Sequence, residues 1–203
     1  MTDDLRDRVS SQELDEAAEL LKQWKILGST TGPVQIGTRY QLKNRTIRKF
    51  LQYENQGSFG GINLGWTDDA EPATAQRVTH WRFVRAGGQG SLKYGEHVAI
   101  AWKDDYIYYG DRTVGINLKW SDSPVQEWQV LGGLPGTPVQ TSDWVSLFNT
   151  RSEGGAPLIF FDRTRGGDIG WPGSRTWGEQ LKDLASETAK KAIVEYLKSG
   201  KSK

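Results

Sequence analysis

The 203-residue chain has no cysteine, only two histidines and nearly balanced charge. Without cysteine there can be no disulfide and no thiolate metal site. No apolar segment follows Met1 that would act as a secretion signal or membrane span, so we expect a cytoplasmic protein. Lys and Arg number 26 against 25 Asp and Glu. This balance gives no basic field of the kind that phosphate backbones require, and nucleic acid is not an expected partner.

The sequence also lacks the patterns of common catalytic sites. His80 and His97 are the only candidate bases with an ordinary pKa near neutrality, and they fall on separate predicted strands. No Gly-x-Ser-x-Gly or His-x-x-Glu-His pattern is present, and residues 87–90, Gly-Gly-Gln-Gly, are not followed by the Lys-Ser or Lys-Thr of a phosphate loop. We predict no catalytic residue, no metal and no cofactor.

What the chain does contain is a repeated strand motif. Residues 111–120 and 162–171 align without a gap from Asp-Arg-Thr to a final Trp, and residues 61–66 repeat the second half as Gly-Ile-Asn-Leu-Gly-Trp. The shared glycine positions are 61, 115 and 166, which are 54 and 51 residues apart. Such spacing predicts three copies of one structural unit.

Each copy lies within a longer common pattern. An apolar or aromatic run precedes the motif, and a second tryptophan follows it, at Trp81, Trp128 and Trp177. Each unit is therefore predicted to have four short strands joined by Gly-rich and Asp-rich turns. Twelve strands in three units favour a β-trefoil, a six-stranded barrel closed by three hairpins, over a propeller, which has four or more blades. We expect an all-β trefoil domain over 37–178, with units at about 37–86, 92–133 and 140–178.

Both ends of the chain have helical rather than strand periodicity. Residues 11–27 place Leu14, Ala17, Ala18, Leu21 and Trp24 on one face, and residues 175–198 do the same with Leu181, Leu184, Thr188, Ala192, Val194, Tyr196 and Leu197. We predict an N-terminal helical extension within 1–36 and a C-terminal helix and tail within 179–203. Their apolar faces favour packing on each other or on the barrel. Homo-oligomerisation through the helices is the next interpretation, and membrane contact is the least expected because both faces are mixed in charge.

The repeated tryptophans and their neighbours are the candidate ligand site. Strand alternation places Trp66 with Ile62 and Leu64 on one face, and Trp120 and Trp171 are its counterparts. These rings either pack in the core or stack on a ligand. The opposite face carries Asn63, Asn117 and Asp168, which either bind a hydroxylated ligand or bond nearby backbone. Trp81, Trp128 and Trp177 are interpreted as structural.

The combination of apolar run, turn, aromatic-ended strand and tryptophan strand resembles the ricin-type β-trefoil lectins. Their Gln-x-Trp signature is matched at residues 126–128, while the other copies have Thr79-His80-Trp81 and Arg175-Thr176-Trp177. The resemblance implies non-catalytic carbohydrate binding, with room for a sugar site in more than one unit. It also implies a shallow pocket made of a stacking aromatic ring, an acidic residue across the hairpin and a polar residue in the next loop.

Counting along the middle hairpin places Asp105 and Tyr106 across from Trp120, with Asp122 in the following loop. The first unit has Trp66 followed by Asp68 but faces the basic pair Arg48 and Lys49. The predicted ligand-binding residues are Asp105, Tyr106, Asn117, Trp120, Asp122, Asn63, Trp66, Asp68, Asp168 and Trp171. A second hypothesis is a protein-interaction trefoil of the toxin-associated or protease-inhibitor type, because two helices are added and the lectin signature is incomplete.

Overall fold

A computed structural model of the chain describes residues 10–57, 61–68, 79–113, 115–152, 155–162, 167–172 and 187–200. The protein is mostly β, as expected, with a short helix towards each end. The helices are α1 (Ser11–Leu21) and α2 (Glu187–Ser199). The strands are β1 Trp24–Leu27, β2 Gln41–Asn44, β3 Phe50–Tyr53, β4 Leu64–Thr67, β5 Trp81–Val84, β6 His97–Trp102, β7 Asp105–Tyr109, β8 Leu118–Ser121, β9 Trp128–Leu131, β10 Trp144–Asn149, β11 Ala156–Pro157, β12 Ile159–Phe160 and β13 Ile169–Gly170.

The strands form a curled antiparallel sheet. Its hydrogen-bonded order is β4-β3-β2-β1-β10-β9-β6-β7-β8, with β5 paired to β6 and β11 paired to β10. An isolated bridge between Tyr40 and Trp81 joins the start of β2 to β5. Strands β12 and β13 form a separate hairpin. Alternate residues point into one continuous apolar core, as expected for strands buried on one face.

Helix α1 begins as the sequence indicates but ends earlier. Ser10 caps it, because its side chain accepts the Glu13 N–H while Glu13 reaches back to the Ser10 backbone. The prediction of a helix up to Leu27 was wrong, since the helix ends at Leu21 and Trp24 begins strand β1. Strand β1 pairs with β2 on one side and β10 on the other. Two backbone ladders and a fully buried Trp24 outweigh the local helical spacing.

The two helices pack against each other and against the sheet. Ala17, Ala18 and Leu21 of α1 share a buried cluster with Ile193 and Leu197 of α2. Leu131, Phe148 and Ile159 contribute the sheet side of the same cluster. The Tyr196 hydroxyl donates a hydrogen bond of 2.6 Å to Asp15. These contacts agree with the expected packing of the two helices on each other. Oligomerisation through the helices stays a prediction. Leu181 and Leu184 lie outside the described residues. Neither described helix combines the length and apolarity needed to span a membrane.

Three buried tryptophans make the same hydrogen bond in three places. The indole N–H of Trp24 donates to the Leu158 carbonyl at 2.6 Å. Trp81 donates to Leu51 and Trp128 to Ile107, both at 2.8 Å. All three side chains are fully buried at the start of a strand. Trp24 is thus the third member of this set; Trp177, which the sequence pattern placed with Trp81 and Trp128, lies outside the described residues.

A closed ring of backbone hydrogen bonds joins three distant segments. Val34 N–H donates to Val139, Val139 N–H to Leu92, and Leu92 N–H to Val34, at 2.8, 2.9 and 2.7 Å. Three further bonds join the same segments, with donors two residues after these positions and acceptors two residues before them: from Ile36 to Gly90, from Tyr94 to Thr137 and from Thr141 to Gly32. Each of the three segments therefore donates backbone hydrogen bonds to both of the others and accepts bonds from both.

The Trp24, Trp81 and Trp128 bonds predict similar effects of Trp→Phe substitution. Phenylalanine keeps most of the ring but leaves a buried carbonyl without its donor, which costs about 1–3 kcal/mol. We expect each of the three variants to lower the free energy of unfolding by that amount in urea titrations. Trp144→Phe, at a half-buried outward position, is the control and is expected to change it by less than about 0.5 kcal/mol. If only one of the three variants lost stability, the three hydrogen bonds would not be equivalent.

Candidate functional site

The candidate tryptophans Trp66, Trp120 and Trp171 point into the molecule. Each packs against one of the three hydrogen-bonded tryptophans: Trp66 stacks on Trp24 at 5.9 Å between ring centroids, Trp120 stacks on Trp81 at 6.4 Å, and Trp171 lies tilted against Trp128 at 6.0 Å. The angles between these ring planes are 17°, 24° and 34°. These offset pairs are typical of aromatic packing in a core.

Each of these rings also contacts an aromatic residue from one of the other two hairpins. Phe160 meets Trp66 at 6.0 Å, Tyr53 meets Trp120 at 6.0 Å and Tyr109 meets Trp171 at 6.3 Å. The Trp66 indole N–H donates to the Gly167 carbonyl at 2.8 Å. Of the two interpretations for these tryptophans, these contacts are those of core packing, with Trp171 buried and Trp66 and Trp120 partly buried.

The polar residues opposite these tryptophans close their own hairpins. The Asn63 side-chain oxygen accepts the Gln56 N–H at 3.1 Å, and its amide donates to the Tyr53 hydroxyl at 2.9 Å. Asn117 accepts the Arg112 N–H at 3.1 Å in the same way. Asp168 has a φ of 49°, a left-handed turn conformation that Asp adopts more readily than most residues. Its carbonyl accepts the Phe161 N–H at 3.0 Å.

The register of the middle hairpin differs by one residue from the count made on the sequence. Trp120 pairs with Ile107, Tyr106 with Ser121, and Tyr108 with Lys119. Because a shift of one residue exchanges the two faces of a strand, Trp120 and Ile107 share the inner face. Tyr106 and Tyr108 lie on the outer face. Tyr108 and Lys119 were missed, although the alternation Tyr-Ile-Tyr in β7 was a usable signal.

The outer face of β7 and β8 forms an aromatic shelf with polar neighbours. We call Tyr106, Tyr108, Lys119 and Ser121 the tyrosine shelf; both tyrosines are half-buried and Lys119 is exposed. A Cβ added to Gly110 would lie 3.0 Å from the Lys119 side chain and 3.2 Å from the Tyr108 ring, so both side chains pack over this glycine. Asp105 and Asp122, both exposed, are the chain neighbours of Tyr106 and Ser121 at the end of the hairpin.

The corresponding faces of the other two hairpins are covered. In the first hairpin, Phe50 and Gln52 hold the positions of Tyr106 and Tyr108, and both are buried. In the third, Ile159 is buried in the cluster with the two helices. Asp68 is exposed and forms an ion pair with Lys49 at 3.2 Å. Of the three faces, only the tyrosine shelf is open, as far as the described residues extend.

The residue before each hydrogen-bonded tryptophan differs among the three segments. Gln23 accepts the Phe160 N–H at 2.8 Å, and the buried Glu127 carboxylate accepts the Tyr109 N–H and the Asn149 amide. His80 stands at the third position, and its Nδ1 is buried without a hydrogen-bond partner among the described residues. Burial, and then the positive charges of Arg39, Lys103 and Arg82, hold the pKa of His80 below its usual range.

The depressed pKa of His80 predicts a pH dependence of stability. Unfolded His80 binds a proton as the pH falls through about 6.5, whereas the folded protein resists protonation. The stability present at neutral pH should therefore decrease between pH 7 and pH 5. His80→Gln puts an uncharged glutamine at this position, as at Gln23, and should make the decrease in stability smaller. The free energy of unfolding is measured in urea at both pH values. An equal pH dependence in the two proteins would exclude His80 as its source.

No group of three or more His, Asp or Glu in the described ranges is arranged to hold a metal ion. Comparisons with family models, with curated proteins and with solved structures find no match.

Proposed function

We propose that this protein is a non-catalytic β-trefoil that binds carbohydrate through the tyrosine shelf. The open outer face of the middle hairpin, with two tyrosines beside carboxylate, hydroxyl and ammonium groups, is the observation that carries the proposal. The partner is a neutral sugar or glycoconjugate, and one shelf per chain is open within the described hairpins.

The trefoil is supported by the order in which six strands pair. Following the pairings leads from β1 to β2, through the Tyr40–Trp81 bridge to β5, then to β6, β9 and β10, and back to β1. The hairpins β3-β4, β7-β8 and β12-β13 follow these barrel pairs. In this arrangement the units begin at Trp24, Trp81 and Trp128 rather than at residues 37, 92 and 140.

The chemistry of the tyrosine shelf suits a hydroxylated ring. Tyrosine presents an apolar face for the C–H side of a sugar and a hydroxyl that both donates and accepts hydrogen bonds. Asp105 and Asp122 can accept hydrogen bonds from sugar hydroxyls, and Lys119 and Ser121 can donate to them. A shelf that is open on one side buries little of its ligand, so we expect millimolar dissociation constants for monosaccharides.

Substitution of the shelf tyrosines tests the proposal. We expect Tyr106→Ala and Tyr108→Ala each to weaken glycan binding about tenfold, because a ring-stacking contact of roughly 1.4 kcal/mol is removed. Binding is measured by saturation-transfer NMR and calorimetry after a glycan array has chosen the sugar. Tyr106→Phe keeps the ring and should retain most of the affinity, and circular dichroism should show each variant folded.

Two controls separate the tyrosine shelf from the inner tryptophans. Trp120→Ala removes a packed core ring and should lower the free energy of unfolding by about 3–5 kcal/mol. Trp144→Ala removes an outward ring on another strand and should leave affinity for neutral sugar unchanged. Failure of every sugar to bind at millimolar concentration would contradict the proposed function, as would binding that survives both tyrosine substitutions.

A further inference from the structure

The two tyrosines of the tyrosine shelf each lie over a residue with a small side chain or none. Tyr106 pairs with Ala101 of β6, which is fully buried but lies outside both buried apolar clusters. Alanine is too short to cover itself, so its longer partners on the two neighbouring strands, Tyr106 and Arg82, cover it. The Tyr108 ring comes within 3.2 Å of the Cβ position of Gly110. Both tyrosines therefore lean across the sheet, and each, being half-buried, keeps part of its ring accessible.

The tyrosine shelf is longer than one sugar ring. Tyr106 and Tyr108 are two residues apart on one face of β7, which is about 6.6 Å at about 3.3 Å per residue. Gly110 continues the same face, so the row from Tyr106 to Gly110 is about 13 Å long. Ser121 stands opposite Tyr106, and Lys119 stands opposite Tyr108. Each tyrosine thus has a polar partner at its own level, and the row offers one ring to each of two adjoining sugar units.

We propose that the tyrosine shelf binds a straight, β-1,4-linked chain of pyranose units whose hydroxyls are equatorial. This inference rests on the proposed function and adds to it the class of sugar. Two rings in one row stack on neighbouring units of the same chain only where that chain runs straight along β7. A β-1,4 linkage between equatorial positions makes such a chain, whereas an α-1,4-linked chain coils and lifts its second unit away from the sheet.

The orientation of successive sugar units decides which hydroxyls the tyrosine shelf accepts. Neighbouring units of a straight β-1,4-linked chain are turned over relative to each other, so Tyr106 and Tyr108 meet opposite faces of adjoining units. Equatorial hydroxyls leave C–H groups on both faces, and these groups pack on the apolar tyrosine rings. An axial hydroxyl would face one of the rings and lose its hydrogen bonds to water there. Equatorial hydroxyls point sideways instead, towards polar groups such as those of Ser121 and Lys119.

The test compares sugars of increasing length on the full chain by calorimetry and saturation-transfer NMR. We expect cellotriose to bind about tenfold more tightly than methyl β-glucoside, because the second stacking contact is made within one molecule. Cellotetraose should gain less than about a further twofold, since the row ends at Gly110. Maltotriose, the α-1,4-linked isomer of cellotriose, should bind no more tightly than methyl β-glucoside.

Substitutions separate the contributions of the two rings. Tyr106→Ala and Tyr108→Ala should each lower the affinity for cellotriose about tenfold, to that of methyl β-glucoside, because only one stacking contact is left. The affinity for methyl β-glucoside should fall by no more than about twofold in either variant, since the other ring still binds it. The matched control Trp144→Ala removes a half-buried outward ring from β10 and should change neither affinity.

The outcomes distinguish this inference from the proposed function. The straight-chain inference is overturned, and carbohydrate binding stands, if methyl β-glucoside binds as tightly as cellotriose or if maltotriose binds as tightly as cellotriose. The same holds if a glycan array shows binding only to sugars of another linkage. If no sugar binds at millimolar concentration, carbohydrate binding itself is overturned. The length series needs no substitution, so it decides the inference even where a tyrosine variant is unstable.

Discussion

The hydrogen bond from a buried indole to a main-chain carbonyl is the constraint on which the rest of this fold depends. A buried indole N–H usually bonds an acceptor, and those of Trp24, Trp81 and Trp128 each bond a carbonyl on the first strand of a hairpin or next to it. The buried indole nitrogens of Trp120 and Trp171 have no hydrogen-bond partner among the described residues. Each bond therefore sets the distance between a hairpin and the core strands. The Trp24 bond reaches 134 residues along the chain and holds the first strand against the last segment.

The three hairpins β3-β4, β7-β8 and β12-β13 have similar inward residues but different outward residues. Inward residues recur as tryptophan pairs, each with an aromatic neighbour from the preceding segment. Outward positions diverge, because Phe50 and Gln52 are buried, Ile159 is covered by the helices, and Tyr106 and Tyr108 stay accessible. In the proposed trefoil, the packing of the core is thus repeated while the outward surface differs from one hairpin to the next.

Sequence alone could predict the β-rich class, the strands that contain Trp66 and Trp120 and the start of α1, because each of these has a strong local pattern. Trp24 could not be placed, since a four-residue strand that follows a helix continues the helical spacing by chance. Tyr108 and Lys119 were missed because the hairpin register was counted one residue off, which placed Tyr106 rather than Ile107 opposite Trp120. The repeated Pro-Val-Gln at 33–35 and 138–140 was a usable signal for two of the segments in the backbone ring, because Val34 and Val139 both belong to it.

The ring of backbone bonds on which the proposed trefoil depends is tested most directly by hydrogen exchange of the Val34, Leu92 and Val139 amides in the native protein. Each amide donates to the next segment and none can open alone without breaking the ring. The account predicts that all three exchange only by global unfolding, with protection that agrees within about tenfold and equals the free energy of unfolding from urea titration. Exchange of any one of them at the rate of an exposed loop, while the other two stay protected, would contradict it.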